Sequence, residues 1–375
     1  MEENKITLID TFGENSFHEI FNAAFLLSVL NIYQSVTYFG TKSSIENQKK
    51  FLTEEQRAKV HYEYVKCVKK KGHVGLLCKY VWAAISLVSV IKKSKSSKIV
   101  VLNHNPFMYL FARLIAKDIN IICHGEMELI NGNDDGKLAK IMTWLLRQHF
   151  RKNNMYGNFH YIVLGDSILK NLSSKLEPEY SPYFSSIDHP YIFNDLQTMS
   201  AFKARLSVGI VGITTPTKGL SMLKELLKIK ADSIDIYHIG KISDNDSQLK
   251  NAGLKIVKRD SNNELSRDKY EAWIKKMNFI LFLYPTDNYK LTASGAVFES
   301  FSMGIPVIAL HNDYFDYLSS KIGDFGLFFD NFEQMKSFFA APYEFDTERM
   351  FLSIKKARNL FTSENVSKKL KIIIK

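Results

Sequence analysis

The stretch SGAVFESFSMGIPVIAL, Ser294–Leu310, decides the fold. A glycine, Gly295, opens it, and the helical run Ala296–Met303 that follows carries a single acid, Glu299. Gly304 stops the helix, because glycine accepts the left-handed conformation of a C-terminal cap at little steric cost. Pro306 then begins PVIA, a short run apolar on both faces, which reads as a strand buried between helical layers. Just upstream stand another buried strand, FILFL at Phe279–Leu283, and the polar loop TDNYKLTA. Strand, loop, helix and strand make one βαβ unit of a parallel sheet. The helix dipole and the N–H groups near Ala293, Ser294 and Gly295 suit a phosphate. An ionised Glu299 only accepts hydrogen bonds, which suits the paired hydroxyls of a ribose. Taken alone, the stretch also fits a plain helix–strand connection with a capping glutamate.

The same alternation continues on both sides. Upstream, Leu206–Val211 reads as a strand, Lys218–Lys228 as a helix, Asp235–Ile239 and Leu254–Val257 as strands, and Glu264–Met277 as a helix. Downstream, Phe332–Ala340 and Thr347–Thr362 read as helices. An earlier series has strands at Lys5–Asp10, Ser35–Phe39, Lys98–Leu102, Ile119–Cys123 and His160–Leu164. Helices are expected at His18–Leu30, Pro106–Ala116, Leu138–Phe150 and Ser167–Leu176. Between Glu177 and Ala201 the periodicity lapses in a segment holding three of the eight prolines, the mark of a domain crossing. The 375 residues suit two or three domains at roughly 150 residues each. The expected division is 1–190, 191–355 and a terminal helical segment, 356–375. Two open α/β sheets bind ligands beyond the carboxyl ends of their strands.

Composition narrows the class. Apolar residues at 46% and charged residues at 24% belong to a globular chain, not a disordered, collagen-like or integral-membrane one. Three cysteines with no CxxC spacing point to a reducing, cytoplasmic setting, and MEENKITLID lacks the features of a secretion signal. The net charge of +11 is concentrated: Gln56–Lys98 holds eleven Lys/Arg against one acid, Glu63. Within it, Val74, Leu77, Val81, Ile85 and Val88 recur at helical spacing beside Trp82. The apolar run Gly75–Ile91 is about 17 residues, short of the roughly 20 that span a bilayer. A basic helix with one apolar face suits an anionic membrane surface, and an ordinary core helix with a solvated basic rim has the same spacing. No nucleic-acid motif accompanies the lysines, so no nucleic-acid partner is expected.

Four features in order, Leu206–Leu310, resemble the nucleotide-sugar domain of GT-B glycosyltransferases, particularly the large retaining group that includes sucrose synthases and bacterial mannosyltransferases. They are VGIVGITTPTKGL at Val208–Leu220, IDIYHIG at Ile234–Gly240, the helix and strand before the loop, and Glu299 followed by Gly304, Pro306, Val307 and Ile308. The resemblance implies two Rossmann-like domains facing a central cleft. Lys218, with the Gly212 loop, Thr292, Ala293, Ser294 and Gly295, would grip the donor diphosphate, Glu299 the ribose, and Arg259 the nucleotide base. Gly13, after the first strand, is where the family often places a loop near the donor phosphates. His124, after a strand end, is where it often has a histidine near the transferred sugar. Two positions depart from the pattern: Ile213 stands where an arginine is usual, and Leu291 where much of the group has a second glutamate.

Other residues have plain readings. His104 reads as a loop or capping histidine. Glu126 reads as a solvated or acceptor-binding acid, Glu128 as a solvated one, and Asp244-Asn245-Asp246 as a turn with no metal. The expected function is transfer of a sugar from a nucleotide-sugar donor, with no cofactor, to a lipid-linked or surface-polysaccharide acceptor at the inner face of the cell membrane. A sugar-nucleotide epimerase and a non-catalytic basic binding protein on the same scaffold remain open on the sequence.

Overall fold

The computed structural model describes residues 4–15, 18–68, 72–132, 136–151, 156–194, 196, 205–242, 246–258, 265–287 and 289–374. Its strands are β1 (Lys5–Ile9), β2 (Ser35–Gly40), β3 (Val60–Tyr64), β4 (Ile99–Val101), β5 (Ile119–Cys123), β6 (Phe159–Val163) and β7 (Phe184–Ser186), then β8 (Leu206–Thr214), β9 (Ile234–Ile242), β10 (Lys255–Ile256), β11 (Phe279–Phe282), β12 (Val307–Leu310) and β13 (Gly326–Phe329). They form two sheets, ordered β3-β2-β1-β4-β5-β6-β7 and β10-β9-β8-β11-β12-β13, with parallel pairing throughout. Each sheet reverses its winding once, between β1 and β4 in the first and between β8 and β11 in the second. In such sheets the crevice beyond the strand ends at the reversal is where ligands bind.

The chain divides into two units. Unit 1 is Met1–Ile192, Lys290–Ala293 and Phe361–Lys375, and unit 2 is Phe193–Tyr289 and Ser294–Leu360. In unit 1 the helix Glu19–Leu30 lies against the sheet and buries Phe21, Phe25, Leu26 and Val29. The last helix, Ser363–Ile373, packs on it through Val366 and Leu370, and Ser363 Oγ donates to the Ala24 carbonyl at 2.8 Å. Thr362 caps that helix by accepting from the Asn365 N–H; the helix expected at Thr347–Thr362 is one helix, Thr347–Leu360, and Ser363–Ile373 is a separate helix after it. In unit 2, Leu223, Leu226, Phe338 and Met335 cover a sheet core of Val208, Ile236, Phe279 and Ile308.

The structure differs from the sequence reading at three local points. Pro106–Leu114 is a 3-10 helix, started by Asn105, whose side chain accepts from the Phe107 N–H, and by Pro106 at its first position. The apolar run near Trp82 sits in a helix of 22 residues, Gly72–Lys93, which outreaches the stretch Gly75–Ile91 by Gly72, His73 and Val74 at its start and by Lys92 and Lys93 at its end. β3 pairs with β2 as an edge strand although its sequence, VHYEY, is mostly polar or exposed. Cys67, Cys78 and Cys123 are free thiols.

Candidate functional site

In unit 2 two loops converge on the end of β11. The first follows β8, within which Gly212, paired with Gly240, takes φ 79°; Thr215 then precedes a single 3-10 turn, Pro216–Lys218, and Gly219 follows at φ 78°. A Cβ on Gly219 would overlap the Leu283 carbonyl, so only glycine brings this turn so close to the strand end. Gly212 faces open space and is needed for its backbone angle alone. The second loop ends at Ser294, which precedes the helix Gly295–Met303 without a side-chain cap. The Ser294 hydroxyl lies 3.3 Å from the Tyr284 hydroxyl. Leu283 and Tyr284 thus hold, one after the other, the Lys218-Gly219 turn and the start of the Glu299 helix. Both stand at the reversal between β8 and β11.

Lys218 is half-buried. Burial lowers its pKa from the ordinary lysine value. Glu299 is engaged: Arg267 Nη1 and Nη2 donate to its two carboxylate oxygens at 3.0 and 2.8 Å. Arg267 Nε also donates to Glu271 at 2.6 Å. Tyr270, one turn along the same helix, is half-buried, and its hydroxyl pKa is raised by desolvation and then by the Glu299 charge. A paired carboxylate still has lone pairs for hydroxyl donors, now in a fixed orientation.

In unit 1, Gly13 serves its own loop. Its N–H donates to Asp10 Oδ1 at 2.7 Å, and a Cβ there would overlap the same carboxylate. Asn22 holds the other Asp10 oxygen at 2.9 Å. His124 follows β5; its Nε2–H donates to the Leu102 carbonyl at 3.0 Å, leaving Nδ1 as the acceptor. Its ring lies 4.2 Å from that of His18 and 4.5 Å from Phe21. Burial lowers the His124 pKa to about 4, so the ring is neutral near pH 7. His18 stands at the N-terminal boundary of its helix, without a side-chain capping bond, at φ 53°, a strained angle for a side chain of that size. Glu126 Oε2 accepts from the His124 N–H at 3.2 Å, and burial raises its pKa to about 7.

The segment Lys290–Ala293 groups with unit 1. Leu291 is buried, and its N–H donates to Glu128 Oε2 at 2.7 Å; Ala293 packs at the edge of the unit 1 core. Thr292 Oγ1 lies 3.5 Å from the Gly125 carbonyl. Glu128, read as solvated, therefore holds backbone, and an apolar residue at 291 suits its buried place. His104 is a core residue whose Nε2 lies 2.7 Å from the Tyr109 hydroxyl. Arg259, Asp244 and Asn245 lie outside the described residues. No group of three His, Cys, Asp or Glu suited to a metal is found among the described residues. A groove of about 760 Å³ lined by Ile322, Asp346, Arg349 and Lys355 shares no residue with this site.

No protein-family model matches the sequence, and no curated protein matches it. Solved structures do. Sucrose-phosphate synthase from Thermosynechococcus elongatus superposes with a TM-score of 0.67 at 10% identity, over 99% of this chain and 98% of its own. Anabaena HepE in complex with UDP-glucose gives 0.63 at 11%, over 99% and 98%. A variant of S. aureus TarM in complex with fondaparinux, alpha-GlcNAc-glycerol and UDP gives 0.64 at 11%, over 99% of both chains. The fold is GT-B.

In this GT-B chain, three groups near the expected site residues escape a reading by motif. Arg267 pairs with Glu299 across 32 positions, and His18 and His189 both pack with Phe21, which also meets His124. No sequence signal marked Arg267 beyond its place at the start of a helix. Nor did one mark His18, which reads in the sequence as the first residue of the helix His18–Leu30.

Proposed function

We propose that the chain is a glycosyltransferase that moves a sugar from a nucleotide-sugar donor to a lipid-linked or surface-polysaccharide acceptor, retaining anomeric configuration and using no metal. The observation that carries this reading is the anchoring of the Lys218-Gly219 turn and the Ser294-Gly295 helix start on adjacent residues, Leu283 and Tyr284. Cleavage of the donor's C–O bond leaves a diphosphate, on which negative charge grows while the sugar gains oxocarbenium character. Fixed positive charge and aligned N–H groups stabilise that change most when they need no reorganisation. Lys218 provides the charge and the uncapped helix start provides the N–H groups. The Arg267-held Glu299 takes the ribose hydroxyls. Neutral His124 orients the transferred sugar through Nδ1, since a ring with pKa about 4 is a hydrogen-bond partner more than a base at neutral pH. Complexes of HepE and TarM with UDP or UDP-glucose support the donor class. The basic stretch 56–98 supports an acceptor at the inner membrane face.

A thermal-shift panel of nucleotide sugars and free nucleotides tests this, because a ligand that binds only the native state raises apparent stability by mass action. At least one nucleoside diphosphate and its sugar should raise the melting temperature of the full chain. A panel without any shift would end the proposal.

A further inference from the structure

Unit 1 exposes apolar side chains on three neighbouring elements. The helix Gly72–Lys93 packs on the 3-10 helix Pro106–Leu114, which packs in turn on the helix Lys137–His149. The first exposes Trp82 and Ile85, the second Leu110 and Leu114, the third Ile141 and Trp144. On the two α-helices, Trp82 with Ile85 and Ile141 with Trp144 are three positions apart, so each of these pairs lies on one side of its helix. Large apolar residues exposed singly are ordinary, but six on adjoining elements call for a partner.

Charge says which partner. The three elements contain no Asp or Glu, and their exposed cations are Lys92, Lys93, Arg113, Lys137, Lys140 and Arg147. On the third helix these cations alternate with Ile141 and Trp144 along the exposed stripe. Tryptophan at an apolar–basic boundary is the side chain of a membrane interface. The helix Gly72–Lys93 meets the length and hydropathy of a membrane span, yet Ala83, Ala84, Leu87, Val88 and Ile91 are buried in unit 1. That burial leaves it one apolar edge to offer, which suits lying on a bilayer and not crossing it.

We infer that these three elements form one face that docks on an anionic lipid bilayer, with Trp82 and Trp144 entering the headgroup boundary and the six cations meeting lipid phosphates. The face extends well beyond the basic stretch 56–98, to residue 147. This deepens the membrane-acceptor part of the proposed function, and its test reads lipid binding alone, so a failure of docking and a failure of sugar transfer are separate results.

The full chain is mixed with vesicles of phosphatidylcholine alone or with about one third phosphatidylglycerol, and binding is followed by sedimentation and tryptophan fluorescence. Binding is expected to the anionic vesicles, with a blue shift and quenching by lipids brominated on the acyl chain. The chain has three tryptophans, so the W82F/W144F variant retains only Trp273, which lies in unit 2 and should stay unquenched. K137Q/K140Q/R147Q should weaken anionic binding on the order of a hundredfold, as each cation near such a surface contributes comparably. An unchanged melting temperature in that variant shows that it folds. Absence of vesicle binding would overturn the inference. So would full binding by the triple variant, which would place contact elsewhere, or sedimentation as a dimer that L110D/I141D makes monomeric, which would give the face to a second copy.

Discussion

Gly219 lies directly against the carbonyl of Leu283 at φ 78°, leaving no room for a side-chain carbon. This contact seats Lys218 at the carboxyl end of β11, where the second sheet reverses. Gly219→Ala should therefore cost roughly 1–3 kcal/mol of stability and weaken nucleotide binding as the turn shifts. Gly212→Ala, with the same sign of φ but open space around it, should cost about 1 kcal/mol from backbone strain alone. Denaturant unfolding of the two variants separates these effects.

The Arg267–Glu299 pair should behave as a unit. Arg267→Lys loses the two-pronged grip that a point-like ammonium cannot reproduce. We expect donor KM to rise with kcat less affected, because the glutamate's orientation and not the departing diphosphate is disturbed. A double-mutant cycle with Glu299→Gln should give a coupling of about 1–3 kcal/mol in donor binding. Additive losses would show that the two side chains act apart.

Acid should destabilise unit 1 through its histidines. Burial lowers His104, His149 and His189 to about 3 and His124 to about 4. Their ordinary value is 6.5, so the unfolded chain binds more protons below it. Their stabilising contribution is full above pH 6.5 and is lost as pH falls through the folded values. Chemical denaturation between pH 7 and 4 should show stability falling with net proton uptake on unfolding, and His149→Phe should reduce the slope.

Glu126 has the opposite sign. Its folded pKa of about 7 lies above the ordinary 4.5, so the folded state holds the proton longer. Stability should decline as pH rises from 4.5 to 7, and Glu126→Gln should be comparatively more stable at pH 8 than at pH 5. Melting temperatures of the two proteins across that range supply the check; parallel curves would contradict the burial of this carboxyl.

What the sequence made legible follows from how local each signal is. The Glu299 helix and the strand after it were readable because Gly304 and Pro306 punctuate a mostly apolar run, and Lys218-Gly219 because a short glycine loop follows a buried strand. The 3-10 helix at Pro106–Leu114 has the apolar spacing of an α-helix, and periodicity does not separate the two. Glu128 looked solvated because its partner, the Leu291 N–H, is 163 positions away. Arg267 was hidden for the same reason. Asp10, at the end of the first strand, became legible as the group that requires Gly13 only once the turn was folded around its carboxylate.

The account rests on Lys218 meeting a diphosphate. Isothermal titration of UDP, GDP, ADP and dTDP into the full chain and into Lys218→Met tests it most directly. At least one nucleotide should bind the wild type, and the variant should bind it at least tenfold more weakly, on the order of one charge-assisted hydrogen bond, with an unchanged melting temperature in its absence. Equal affinity in the two proteins would contradict the account.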